Sequence, residues 1–120
     1  MDMSNIESIL AEILELNGAL ATALIDWESG MVLGMATNNS NFNIELASAG
    51  NSKVLKAKMA TIKSLKLEGE IEDIMITLSD QMHLIHILKT NPELCLYVAL
   101  NAEKSNLALA RNKLKTVASR

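Results

Sequence analysis

The sequence predicts an α/β protein in which one antiparallel sheet of five strands lies between helices. Three observations predict this fold class. Apolar residues spaced by three and four give both ends of the chain a helical period. A proline-free run near the middle adds a third helix, and five short apolar runs bounded by turn residues indicate strands. The predicted order is therefore α-β-β-α-β-β-β-α, with short hairpin links that favour antiparallel pairing.

The first predicted helix begins at Ser4, which is spaced from Glu7 as in a capping box. Apolar residues then recur at helical spacing until Asn17 and Gly18 end the run. These apolar residues are Ile6, Ile9, Leu10, Ile13 and Leu14. We expect the helix to bury this face and to expose an acidic one.

A β-hairpin follows, with predicted strands over 19–26 and 31–36. The turn between them contains Gly30, which can take the positive φ that a tight reversal often requires. Both alternating sets of side chains in the first strand are apolar, so we expect cover on both faces and hence three layers. One set is Ala21, Ala23 and Ile25, and the other is Leu20 and Leu24.

A long second helix is predicted from about 43 to 66, after a polar loop over 38–41. It contains no proline, and its apolar residues roughly trace one side. Gly50 and Asn51 weaken it locally, which leaves room for an irregularity or a break there. The apolar side consists of Ile44, Ala47, Val54, Leu55, Met59, Ile62 and Leu65.

Three further strands are predicted over 71–79, 82–90 and 94–100, with Asp80-Gln81 as the turn between the first two. The last strand is apolar on both faces, which places it in the middle of the sheet. A closing helix is predicted after it, with Asn101 as a reasonable N-cap. Its inward stripe is Leu107, Ala110, Leu114 and Val117.

Composition limits the classes of function. A chain of 120 residues with 49% hydrophobic content fits one domain. A net charge of −3 and only three aromatic residues argue against nucleic-acid binding. No run approaches the roughly 20 apolar residues that cross a bilayer, and no secretory signal is evident, so we expect a cytoplasmic protein without direct membrane insertion.

Candidate catalytic and metal-binding residues are few. On a strand, the odd spacing of His83 and His86 sends their rings to opposite faces, which disfavours a shared metal. Cys95 is the only cysteine, and we interpret it as a small core residue. The chain lacks a phosphate-binding glycine loop and the common hydrolase motifs. We therefore expect no catalytic residues, no metal and no cofactor.

The most suggestive surface feature is a set of lysines on the second helix. Lys53, Lys56 and Lys63 fall within a narrow arc, and Lys66 lies a little further round. They are candidate residues for contact with an acidic partner, and the alternative is that they only keep the helix soluble.

Two segments carry a resemblance to a known family. Residues 18–23 form a strand of small residues that runs into Asp26 and Ser29-Gly30, and the apolar strand 96–100 leads to the run Asn-Leu-Ala-Leu-Ala-Arg over 106–111. In this order the chain resembles the Roadblock family over nearly its whole length. The resemblance implies a profilin-like fold with a five-stranded antiparallel sheet and helices on both faces. It also implies that Gly30, Asn106 and Arg111 match family motif positions, for which we expect structural roles.

The resemblance further implies a dimeric adaptor, because Roadblock proteins pair as homodimers or heterodimers and some bind small Ras-like GTPases. The 71–79 strand would lie at the sheet margin and is our candidate dimer edge. Its candidate residues are Asp73, Ile74, Met75, Ile76, Thr77 and Leu78. The expected partners are a second copy or a paralogous Roadblock protein, together with a GTPase. The alternatives are a small-molecule sensor resembling PAS or GAF modules, and a structural scaffold without a GTPase partner.

Overall fold

A computed structural model describes all residues from Met1 to Arg120 and confirms the predicted order of elements. No helix in it combines the length and the apolar character needed to cross a bilayer. After a short 3-10 turn over Met3–Asn5, the elements are α1 (Ile6–Leu14), β1 (Ala19–Asp26), β2 (Met31–Thr37), α2 (Ile44–Ser64), β3 (Asp73–Thr77), β4 (Gln81–Ile87), β5 (Leu94–Asn101) and α3 (Leu107–Ala118).

The five strands form one antiparallel sheet in the order β2-β1-β5-β4-β3. The central position predicted for the last strand is confirmed: β5 pairs with β1 and β4, and its residues from Leu94 to Leu100 are all buried. The strands β2 and β3 are the two edges of the sheet.

The sheet has an apolar cluster on each face, as the two apolar sets of β1 predict. The first cluster joins α1 and α3 to side chains such as Leu24 and Leu96, and the second joins α2 to Ala23 and Tyr97. Leu20 is an exception, because it packs against the second cluster and not against the first. The pairing of β1 with β5 shifts register between Ala19 and Ala21, which breaks the alternation at this point.

The β1–β2 turn has the conformation expected at its glycine. Gly30 has a φ of +80°, and its backbone N–H donates to the Asp26 carbonyl oxygen over 2.8 Å. The Asp26 carboxylate accepts from the backbone N–H groups of Glu28 and Ser29. These bonds fix the entry of the chain into β2.

Two of the predicted helix caps are wrong. Ser4 lies inside the 3-10 turn, where its backbone N–H donates to the Asp2 carboxylate over 3.0 Å, so the chain turns before a capping box can form. Asn101 still belongs to β5, and its side chain caps the turn that follows. The N-cap of α3 is Asn106, whose Oδ1 accepts from the backbone N–H of Leu109 over 3.1 Å.

The helix α2 runs without a break through Gly50, which lies at an exposed position. A single glycine costs about 1 kcal/mol of helix propensity, and this is too little to interrupt a packed helix. The helix ends in a Schellman motif, in which Leu67 N–H donates to the Ile62 carbonyl and Lys66 N–H to the Lys63 carbonyl, both over 3.1 Å. Lys66 adopts a left-handed φ of +55° and lies beyond the helix.

The β3–β4 hairpin is shorter than the sequence predicts. Gln81 already pairs within β4, so the turn lies at Ser79 and Asp80, one residue earlier than expected. The backbone N–H of Leu78 donates to the Gln81 carbonyl over 2.8 Å. Leu78, a predicted member of the edge strand, therefore lies in the turn just after β3.

A network of two ion pairs that share Glu12 joins α1 to α3 on one face of the sheet. Glu12 of α1 accepts from Lys113 of α3 over 3.1 Å and also binds Arg120 near the end of the chain. The hydrogen bonds from Arg120 and Lys113 lower the pKa of Glu12 to about 2. The ionised carboxylate of Glu12 therefore stabilises the folded state relative to the unfolded one.

We predict that Glu12→Gln lowers the melting temperature near neutral pH, because it removes the negative charge that pairs with Lys113 and Arg120. The pKa of Glu12 is lower in the folded state than its ordinary value of 4.5, so the stabilisation is present above about 4.5 and is lost as the pH falls towards about 2. Thermal unfolding followed by circular dichroism across this range measures it. Glu15→Gln, in an exposed residue of the same helix end, is the control. A melting-temperature difference that is constant with pH would contradict the prediction.

We also predict that Asn106→Ala lowers the free energy of unfolding by about 0.5–2 kcal/mol, because it removes the N-cap of α3. Chemical denaturation gives this value. Asn112→Ala, at an exposed position inside the same helix, is the matched control and should not lower the free energy of unfolding, since alanine favours the helix interior more than asparagine does. Equal stability of Asn106→Ala and the wild type would show that the cap contributes nothing.

Candidate functional site

The strand β3 offers an open edge with apolar side chains on it. It pairs on one side only, with β4, through Ile74 opposite Ile85 and Ile76 opposite His83. Ile74 packs against the apolar cluster beneath α2, while Met75 on the other face is 40% exposed. An unpaired strand of this kind is a template for another strand.

The start of β3 is held to α3 by a two-point ion pair. Nε of Arg111 donates to Oδ2 of Asp73 over 2.9 Å, and Nη2 donates to Oδ1 over 3.3 Å. Asp73 lies opposite His86 of β4, and burial lowers the pKa of this histidine. The ion pair therefore positions the first residue of the edge strand relative to the helix layer.

Small residues follow the side of α2 that borders β3. Val54, Ala57, Lys58 and Thr61 line a shallow groove of about 390 Å³ together with Ile74 of β3. With Ala47 and Gly50, the small residues recur at spacings of three and four along the helix. We call the set Ala47, Gly50, Val54, Ala57 and Thr61 the α2 seam. This spacing is typical of a face that packs closely against another helix.

The position of Val54 corrects the apolar side predicted for α2. Val54 and Leu65 are exposed, and the buried side of the helix includes polar residues that the sequence analysis did not select. Successive helix residues are about 100° apart, so Val54 lies roughly a quarter turn from the buried Leu55, at the edge of the contact between α2 and the sheet. The buried residues of α2 are Ile44, Ser48, Asn51, Ser52 and Leu55.

The contact between α2 and the sheet is partly polar. Ser52 Oγ donates to the Ser48 carbonyl over 2.9 Å, whereas Ser48 Oγ is buried without a hydrogen-bond partner. Beneath them lies Tyr97, whose pKa burial raises to about 12. A buried polar atom left unpaired costs about 1–3 kcal/mol. The contact between α2 and the sheet is therefore less favourable than that of a helix whose buried side is entirely apolar.

The lysines of the candidate site are exposed and free of ion pairs. Lys53, Lys56 and Lys63 are exposed and lie within about 80° of one another around the helix axis. Lys66 follows the end of the helix. The three ion pairs of the protein involve other residues, so these four ammonium groups are available to an acidic surface.

The two histidines lie on opposite faces of the sheet, as their spacing predicts. His83 contacts Tyr97 edge to face, with ring centroids 5.6 Å apart, and its Nε2 lies 2.9 Å from Gln81 Oε1. His86 lies on the other face, opposite Asp73. Cys95 is fully buried, which raises the pKa of its thiol to about 12. The thiol is therefore protonated near neutral pH and is a weak nucleophile.

Sequence reasoning missed an open groove of about 1070 Å³. It lies between the end of α2, the segment before β3, and α3, and its walls include Met59, Ile71, His86, Arg111 and Lys115. These residues come from distant parts of the chain, so no local sequence pattern marks the groove.

The chain matches no protein-family model and no curated protein. Solved structures do match it. The Roadblock/LC7 domain from Streptomyces avermitilis is 11% identical, with a TM-score of 0.80 over 93% of this chain and 90% of that one. MglB from Myxococcus xanthus is 15% identical, with a TM-score of 0.84 over 98% and 85%. The gliding protein MglB from Thermus thermophilus is 16% identical, with a TM-score of 0.74 over 98% and 90%. The chain thus has the Roadblock-type fold.

Proposed function

We propose that the protein is a dimeric adaptor or regulator that binds a small Ras-like GTPase and needs no cofactor or catalytic residue of its own. The observation that carries the proposal is the combination of an open β3 edge, the α2 seam beside it and four unpaired lysines on and after α2. The resemblance to Roadblock proteins, some of which bind such GTPases, supports the choice of partner.

Pairing through β3 and α2 would cover the open β3 edge and the α2 seam at the same time. Two β3 edges related by a two-fold axis would continue the sheet across both subunits, and the α2 seams would pack against each other. A solved MglB structure with a tetrameric arrangement, 17% identical and with a TM-score of 0.82, supports self-association in this fold. The partner subunit is a second copy or a paralogous Roadblock protein.

The dimer would present the lysines of each α2 helix on a face turned away from the partner helix, because their arc is centred about 130° from the α2 seam. Acidic residues on a GTPase would approach this face with favourable electrostatics, which raises the association rate and fixes the orientation. Regulation would follow if the face binds one nucleotide state more tightly than the other. The shift in population would be limited by that difference in affinity.

We predict that Ala57→Lys dissociates the dimer, because it places a charge in the α2 seam at an exposed position. The dissociation constant should rise by at least about tenfold, or about 1.4 kcal/mol. Ile76→Lys should weaken dimerisation or folding, since it places a charge on the apolar side of β3. Light scattering with circular dichroism separates the two effects.

The control for this prediction is Leu109→Lys, which adds the same charge at an exposed apolar position on α3. It should remain a dimer. A monomeric wild type, or an unchanged Ala57→Lys dimer, would reject this interface.

We predict that the triple variant Lys53→Glu, Lys56→Glu, Lys63→Glu weakens GTPase binding by at least about tenfold while the protein stays dimeric. The GTPase encoded nearest the gene, loaded in turn with each nucleotide, is the ligand for the binding assay. Lys104→Glu, in the exposed turn after β5, is the matched control. Absence of wild-type binding in both nucleotide states would count against the proposal.

The small-molecule sensor is the second candidate function, and the 1070 Å³ groove is the observation that favours it. A ligand there would bridge α3 to the segment before β3. Thermal-shift screening with nucleotides and metabolites discriminates between the candidates, because a large reproducible stabilisation would favour the sensor. A dimer that binds neither GTPase nor small molecule would favour the structural scaffold.

A further inference from the structure

A chain of polar side chains connects β4 to the helix α2. Nε2 of His83 lies 2.9 Å from Oε1 of Gln81, and Nδ1 of the same ring lies 3.5 Å from the hydroxyl oxygen of Tyr97. Burial raises the pKa of Tyr97, and a hydrogen bond from the Asn51 side chain of α2 opposes that shift. The buried Tyr97 hydroxyl therefore links a histidine of the sheet to the helix that covers it.

The atoms of this chain determine where its protons lie. Oε1 of Gln81 can only accept, so Nε2 of His83 carries a proton and donates to it. Nδ1 of the neutral ring is then an acceptor, and the Tyr97 hydroxyl donates to it. The oxygen of that hydroxyl accepts from the Asn51 amide. The Tyr97 proton thus has its acceptor in this chain only while His83 is neutral.

No charge beside His83 favours the protonated ring. The ring is half-buried, and His83 lies opposite Ile76 of β3 and Ala99 of β5. Burial alone lowers the pKa of His83 below its ordinary value of 6.5, so the charged residues of the neighbouring elements do not offset it. Those residues are Asp73 of β3, Asp80 of the β3–β4 turn, and Glu45 and the four lysines of α2, while β5 carries none.

We infer that His83 is a pH-sensitive switch that controls how firmly α2 is held on the sheet. Protonation turns Nδ1 from an acceptor into a donor, so the Tyr97 hydroxyl faces two donors and its own proton loses its acceptor. The charged ring also lacks a counter-ion in its half-buried site. Opening of α2 relieves both conflicts, because water then reaches the ring and the hydroxyl. Acid therefore favours a loosened α2.

Opening of α2 should take up a proton at His83. The pKa of this histidine is below 6.5 in the closed structure and returns towards 6.5 once the ring is hydrated. The attachment of α2 is therefore full above about 6.5 and weakens as the pH falls below that value. The switch lies within one chain, so it does not require the proposed dimer.

Hydrogen exchange of the full chain at about pH 7.5 and about pH 5, corrected for the intrinsic effect of pH, tests the switch. The protection of the α2 amides from Ser48 to Leu55 should fall at least about threefold at the lower pH. In an NMR titration, the Asn51 side-chain amide and the Tyr97 ring should shift with the same midpoint as His83. Constant protection of α2, or midpoints that differ, would overturn the inference.

Two variants and a matched control locate the switch. His83→Gln should remove the pH response of α2, whereas His86→Gln, which changes the half-buried histidine on the opposite face, should retain it. Tyr97→Phe keeps the ring and removes the hydroxyl, so His83 should still titrate while α2 loses most of its response. A full response in His83→Gln or in Tyr97→Phe would reject the switch.

The variant Ala57→Lys separates the switch from dimer dissociation. It is monomeric if the proposed interface is correct, and its α2 should keep the pH response because the polar chain lies within one subunit. A response that is lost in Ala57→Lys would assign the pH effect to the dimer and reject the switch. A dimer that survives Ala57→Lys would reject the proposed interface and leave the prediction for His83→Gln in place.

Discussion

The burial of β5 on both faces is the constraint on which the rest of the structure depends. Its side chains alternate between the two apolar clusters, so each face of the sheet needs a helix layer to exclude water. Its pairing with β1 and β4 then places the two hairpins on either side. The outer strand of each hairpin, β2 or β3, is left without a second neighbour.

The two helix layers are attached to this sheet by different means. The layer of α1 and α3 is mainly apolar and is tied by Glu12 to two basic partners. The α2 layer covers the opposite face with serine and asparagine among its buried residues, and the Ser48 hydroxyl has no partner. A subunit that packs against α2 would therefore add apolar burial where the single chain has least of it.

Much of this fold could be predicted from local patterns, and the errors have physical causes. A continuous apolar run identified β5 as central, because burial on both faces requires apolar residues at every position. Asn101 and Asn106 have the same capping chemistry, and only the length of β5 decides between them. Val54 was wrongly assigned to the buried side of α2, because a helical-wheel projection does not show where the sheet beneath the helix ends. The groove beside Arg111 could not be predicted, because it depends on contacts between distant segments.

The left-handed residue at the end of α2 has a consequence for how this chain can change. Helices often place glycine there, because an ordinary side chain costs roughly 1–2 kcal/mol in this conformation. Lys66 keeps a positive charge at the cost of that strain. Selection for heat resistance alone would favour glycine, while selection for attraction to an acidic surface would retain lysine. Under the proposed function, position 66 would be a point where thermal tolerance and electrostatic recognition oppose each other.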